Sequence, residues 1–178
     1  SFKVEGRMKN ALYIASVARC YRFAIDRILA GEENVYREAL PGMMEELRAT
    51  AVRPLSTGFF FDGTGEGGKD SPAADIFRPG AYAGGQGFLG VITEASGDGT
   101  FRLTQRNKFS LRDEITVMRP DGRGEDLRGQ VLSITTTDGE SRESAPHPME
   151  QLLVRIGNGE TALIVAEPGD IVRMENRK

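Results

Sequence analysis

The stretch Leu152-Leu153-Val154-Arg155-Ile156-Gly157-Asn158-Gly159 decides how the second half of this chain folds. Leu152, Val154 and Ile156 alternate with Leu153 and Arg155, the period of two that puts one face of a strand into a core. Gly157-Asn158-Gly159 then supplies the residues that tolerate a tight turn. The same grammar recurs upstream. Phe101 and Leu103 alternate with Arg102 and Thr104, and Ile115 and Val117 flank Thr116. Turn signals separate these runs at Asp98-Gly99, Pro120-Asp121-Gly122, Asp138-Gly139 and Pro168-Gly169-Asp170. Short strands, Gly-rich turns and no helical period predict a small antiparallel β-barrel or sandwich over residues 86–178.

The first third reads differently. Ala11, Ile14, Ala15, Ala18, Tyr21, Ile25, Ile28 and Leu29 recur at three-or-four spacing, predicting a helix over 11–30. Asn10 suits the N-cap, and Gly31 can take the left-handed conformation that stops a helix. A shorter second helix is expected to start at Pro41, with proline in its first turn, and to run through Met43, Met44, Leu47 and Ala49. Ahead of the first helix, Ser1-Phe2-Lys3-Val4-Glu5-Gly6-Arg7-Met8-Lys9 reads as the tail of a buried strand, with Phe2 to Val4 the strand and a charged glycine turn after it. One strand and one helix cannot bury their own apolar surface, so these residues are expected to close a larger barrel or sheet lying upstream. Between the halves, Gly63, Gly65, Gly67, Gly68, Pro72, Pro79, Gly80, Gly84 and Gly85 break all periodicity and mark a linker. The expected organisation is α+β: residues 1–62 end a larger barrel or sheet, 63–85 link, and 86–178 form the β-barrel.

Composition narrows the function classes. Net charge is −3, from 23 basic and 26 acidic residues, so no global polyelectrolyte signal marks nucleic acid or membrane as partner. Locally, residues 1–30 carry Lys3, Arg7, Lys9, Arg19, Arg22 and Arg27 against only Glu5 and Asp26. Cys20 is the single cysteine, which excludes an internal disulfide and a self-contained cysteine metal site; a reducing cytoplasm is the expected location. No apolar run approaches the roughly 20 residues that span a bilayer.

Gly63-Thr64-Gly65-Glu66-Gly67-Gly68-Lys69-Asp70 matches both G-x-G-x-x-G and G-x-x-x-x-G-K. A phosphate cradle needs a helix to follow and Ser or Thr after the lysine. Asp70-Ser71-Pro72 follows instead, so the segment reads as linker. His147, the only histidine, stands between Pro146 and Pro148 in an extended loop with no nucleophile assigned to it. The opening charges differ in kind. In a (β/α)8 barrel, catalytic groups cluster where strands end. Glu5, Arg7 and Lys9 occupy that position if Phe2 to Val4 is a strand. Arg7 and Lys9 would hold a carboxylate or phosphate, and Glu5 would orient them or exchange a proton. A structural ion-pair network closing the barrel is the equal alternative.

Ser1 to Lys9, Tyr21-Arg22-Phe23-Ala24-Ile25-Asp26, Ser56-Thr57-Gly58-Phe59-Phe60-Phe61, Gln105-Arg106-Asn107-Lys108-Phe109-Ser110 and Ala145-Pro146-His147-Pro148 together resemble the collagenase-like peptidase family U32. The resemblance implies a C-terminal portion: the end of a TIM-like catalytic barrel, then a β-barrel that also resembles those of translation factors. It implies a parent enzyme, either a peptidase or an RNA-modifying hydroxylase, with this chain alone inactive. An iron–sulfur cluster would belong to the upstream part, since no cysteine here matches a cluster ligand. The partners implied are the upstream barrel and an RNA or protein substrate, with no membrane. The other reading is a non-catalytic barrel that recognises RNA or protein. A basic face built from Arg102, Arg106, Lys108 and Arg112 would favour RNA.

Overall fold

The computed structural model describes residues 2–51, 87–121, 124–157 and 163–174. The chain forms two compact units: Ser1–Arg19 together with Gln86–Lys178, and Cys20–Gly85.

The first helix, α1, spans Ala11–Leu29. Asn10 Oδ1 accepts the Tyr13 N–H at 2.9 Å, the N-cap bond that satisfies one of the orphan donors of a first turn. After the helix, Gly31 sits at φ +74°, the left-handed conformation that glycine takes without steric cost. The second helix, α2, spans Glu33–Thr50 and contains Pro41 in its interior. This corrects the expected start at Pro41. The half-buried Tyr36, Ala39, Met43 and Leu47 keep one apolar stripe running through the proline. Continuous burial of that stripe outweighs the single ladder bond that proline removes. The strand expected over Phe2–Val4 is not formed: both residues are exposed, at 71% and 49%, and no described strand pairs with them. A strand is stabilised by a hydrogen-bonded neighbour, and the described residues supply none there.

The remaining elements are strands: β1 (Gly87–Ala95), β2 (Thr100–Thr104), β3 (Phe109–Ser110), β4 (Glu114–Met118), β5 (Leu127–Thr136), β6 (Ser141–Arg142), β7 (Ser144–Ala145), β8 (Gln151–Gly157) and β9 (Ile171–Met174). Six of them close on themselves in the order β4-β9-β1-β2-β8-β5, with β5 pairing back to β4 and every pair antiparallel. The short strands β3 and β7 pair separately, Phe109 opposite Ala145 and Ser110 opposite Ser144. The residues predicted to face inward do so: Phe101, Leu103, Ile115, Val117, Leu152, Val154 and Ile156 are all buried in one core with Leu89, Ile92 and Val172. Gly99, Gly139 and Gly169 hold positive φ at three of the predicted turns. Closure needs one more device. Gly90 sits where β1 bulges against β9, and a Cβ there would lie 2.0 Å from Leu103 Cδ1 and 2.5 Å from the Thr104 carbonyl oxygen. Only glycine permits that approach.

The outer face of the barrel is also covered in part. Leu12 on α1 packs with Phe88, Met118 and Ile171, which point away from the barrel core on β1, β4 and β9. Met118 is fully buried in that cluster, and Thr116, between the inward-facing Ile115 and Val117, is buried as well. The first two turns of α1 therefore form part of the barrel unit. Gly63–Asp70 and Phe59–Phe61 lie outside the described residues.

Candidate functional site

The two basic features of the barrel unit differ in how their charge is used. The first is a partly buried ion cluster beneath α1. Asp126, just before β5, accepts Arg19 Nη1 at 2.5 Å on Oδ1 and Arg19 Nη2 at 3.2 Å on Oδ2. The same Oδ2 accepts Arg173 Nη2 from β9 at 3.1 Å, and Oδ1 takes the Arg119 backbone N–H at 3.3 Å. The three side chains retain only 21% (Arg19), 16% (Asp126) and 10% (Arg173) of their exposure. A bidentate guanidinium–carboxylate pair in such surroundings is geometrically specific, and it ties α1 to two strands at once. Beside it opens a shallow cleft of about 700 Å³ lined by Arg19, Asp126, Arg128 and Ile164 among others. The carboxylate is fully occupied by its own arginines, which makes this cluster a latch.

The second feature lies at one end of the barrel. The connection 105–108, between β2 and β3, runs alongside the connection 146–150, between β7 and β8. Two backbone bonds hold them together, and a third bond ties the first to the end of β7. The Gln105 N–H donates to Glu150 O at 2.9 Å, the Met149 N–H donates to Gln105 O at 2.7 Å, and the buried Gln105 amide donates to Ala145 O. Asn107 Nδ2 anchors the turn to Phe88 O at 2.8 Å. This scaffold leaves Arg106, Lys108, His147 and Met149 exposed. Met149 holds φ +71°, an uncommon conformation for a side chain with a Cβ, and Arg106 Nη1 contacts its sulfur at 2.9 Å.

The four arginines and lysines expected to form a basic face are therefore divided. Arg102 on β2 pairs with Glu94 on β1 at 3.2 Å. Arg112 is exposed at φ +66° beyond β3, at the far end of the β3–β7 pair from Arg106 and Lys108. Among the described residues, Arg106 and Lys108 make no ion pair, and they stand within three positions of each other. The cations that sequence reasoning missed, Arg19 and Arg173, are signalled only by an arginine inside a helix pattern and another inside a strand pattern.

Glu5, Arg7 and Lys9 lie on the exposed turn before α1. Glu5 pairs with Lys3 at 3.1 Å, and the Lys9 ammonium sits 5.1 Å from the Tyr13 ring centroid. The structure gathers these charges in one segment without bonding them to one another. Cys20 is 3% exposed, its thiol 3.9 Å from Met43 O. An iron–sulfur cluster takes several thiolates. With one buried cysteine in the chain, and no group of three potential metal ligands among the described residues, the residues present do not fit a cluster. No described helix is long and apolar enough to cross a membrane.

Residues 1–70 match the model for peptidase family U32, and residues 85–173 match the model for the U32 C-terminal domain. The chain belongs to peptidase family U32. Two curated relatives match most of its length. tRNA hydroxylation protein P1 of Bacillus subtilis is 32% identical over 153 residues, covering 84% of this chain and 33% of that protein. tRNA hydroxylation protein P of Escherichia coli is 30% identical over 173 residues, covering 90% of this chain and 36% of that protein. The chain thus spans about a third of the length of these relatives. A solved C-terminal domain of a candidate U32 peptidase from Geobacillus thermoleovorans aligns with a TM-score of 0.40 at 24% identity, over 51% of this chain and 93% of that one.

Proposed function

We propose that this chain is the C-terminal part of a U32 protein that hydroxylates tRNA, and that its β-barrel takes hold of the RNA. The observation that carries this reading is the pair of relatives named tRNA hydroxylation proteins, whose similarity runs through both the helical segment and the barrel. Arg106 and Lys108, which make no ion pair among the described residues, agree with a polyanionic substrate. In the complete protein, Phe2–Val4 and α1 close the TIM-like catalytic barrel. Apolar side chains exposed among the described residues support that placement: Val4 ahead of α1, and Ile14, Ile28 and Leu29 along it. Glu5, Arg7 and Lys9 then stand at a strand end facing the substrate, Arg7 and Lys9 binding an anionic group and Glu5 orienting them. Any cluster ligands come from the rest of that protein.

The test is charge reversal. Arg7→Glu in the complete protein should abolish the hydroxylated nucleoside in tRNA, measured by mass spectrometry of digested tRNA. Unchanged modification would remove Arg7 from the chemistry and leave the barrel as a binding module. Unmodified tRNA in the wild type, together with cleavage of a gelatin substrate, would replace hydroxylation with peptide hydrolysis.

A further inference from the structure

We infer that the paired connections 105–108 and 146–150 form the edge through which the barrel grips RNA, with Arg106 and Lys108 on phosphates and His147 and Met149 against an unstacked base. This rests on the RNA reading above and adds the surface that performs it. Four features of this one end of the barrel converge. Arg106 and Lys108 are exposed and make no ion pair among the described residues, whereas Arg102 and Arg142 are neutralised by Glu94 and by Glu150. Glu150, the nearest acid in the pinned pair, is turned to Arg142 at 2.7 Å, leaving Glu143 beyond β6 as the exposed acid closest in sequence.

The loop that carries the cations is also held in place. Gln105 and Asn107 alternate with Arg106 and Lys108 and spend their amides on backbone carbonyls, so the cations project from a fixed backbone. Prearranged cations lose less entropy on binding than mobile ones. Next to them, His147 lies between two prolines, and Met149 is 60% exposed in a conformation most residues avoid. An imidazole and an exposed apolar thioether beside phosphate-binding cations offer a splayed RNA loop cations for its backbone and a flat or polarisable surface for a base. Arg112 lies at the opposite end of the β3–β7 pair and is not part of this edge.

The experiment titrates the full chain with a fluorescent tRNA-derived stem-loop at several salt concentrations. Arg106→Gln/Lys108→Gln is compared with wild type and with Arg37→Gln on the exposed face of α2. Two lost phosphate contacts should flatten the slope of log affinity against log salt by about 1.4, at roughly 0.7 per single-stranded contact. The affinity deficit of the double variant should therefore shrink about sevenfold when salt rises fourfold. His147→Ala/Met149→Ala should weaken binding with the slope unchanged, as loss of a stacking surface does. Matching amide-exchange patterns across β1 and β8 establish that the variants are folded. If wild type binds the stem-loop and the double variant keeps its slope, the surface is wrong and the RNA reading stands. If wild type binds no RNA, both fall. Displacement of the stem-loop by polyglutamate of equal charge as readily as by unlabelled RNA would assign the edge to an acidic protein and overturn the proposal.

Discussion

Replacing Asp126 with alanine removes a carboxylate that joins α1, β9 and the segment before β5. The wild-type carboxylate receives three guanidinium bonds, at 2.5, 3.2 and 3.1 Å, and a backbone N–H at 3.3 Å. Without it, Arg19 and Arg173 lose the carboxylate that they share. Breaking a buried pair by deleting one partner costs roughly 3–5 kcal/mol, and the residual exposure of Arg19 and Asp126 places this case at about 3 kcal/mol. For a chain of this length each kcal/mol lowers Tm by about 2–4 °C, so Asp126→Ala should melt about 6–12 °C below wild type. Calorimetry reads the shift. Amide exchange locates it, because protection should fall first over Leu12 to Arg19. A double-mutant cycle with Arg19→Met isolates the pair, with an expected coupling of about 1–2 kcal/mol. Additive single effects, with coupling below about 0.5 kcal/mol, would refute the latch.

Gly90→Ala should prevent the barrel from closing, because the added methyl meets the Thr104 carbonyl at 2.5 Å, where no side chain can move aside; native-like dispersion in an NMR spectrum of that variant would contradict this. Asp98 sits in the β1–β2 turn, where hydrogen bonds from Ser96 and then from the Thr100 N–H hold its carboxyl down to about 2. A depressed folded-state value means the turn gains stability once the carboxyl is ionised, above its ordinary range near 4, and loses it as pH falls through 2. An NMR titration should place the Asp98 midpoint near 2, and Ser96→Ala should raise it. Native Cys20 should resist a thiol reagent until the helical unit is unfolded by urea, consistent with its 3% exposure.

The barrel was legible because a closed sheet with one wet face enforces alternation. Phe101, Leu103, Leu152, Val154 and Ile156 obey that rule residue by residue, and their core positions follow from it. The turns were legible for a related reason: Gly99, Gly139 and Gly169 occupy conformations most other residues avoid. Where a second layer covers the outer face, alternation stops being informative. Thr116 reads as outward-facing between Ile115 and Val117, yet it is buried, and so is Met118, against which Leu12 of α1 packs; the pattern of β4 contains no sign of which helix comes to lie there. Pro41 misled for the opposite reason, because a local preference for first turns yields to a continuous buried stripe. Among the basic residues, spacing alone could not separate Arg102 from Arg106. The difference is a cross-strand register that sets Glu94 opposite Arg102, and register is a property of pairing.

The most direct test is ultraviolet cross-linking of the complete protein to its tRNA, with the linked peptides mapped by mass spectrometry. Binding through the barrel predicts cross-links within residues 105–108 and 146–150, lost when Arg106 and Lys108 are neutralised. Cross-links confined to segments outside residues 87–174 would contradict it.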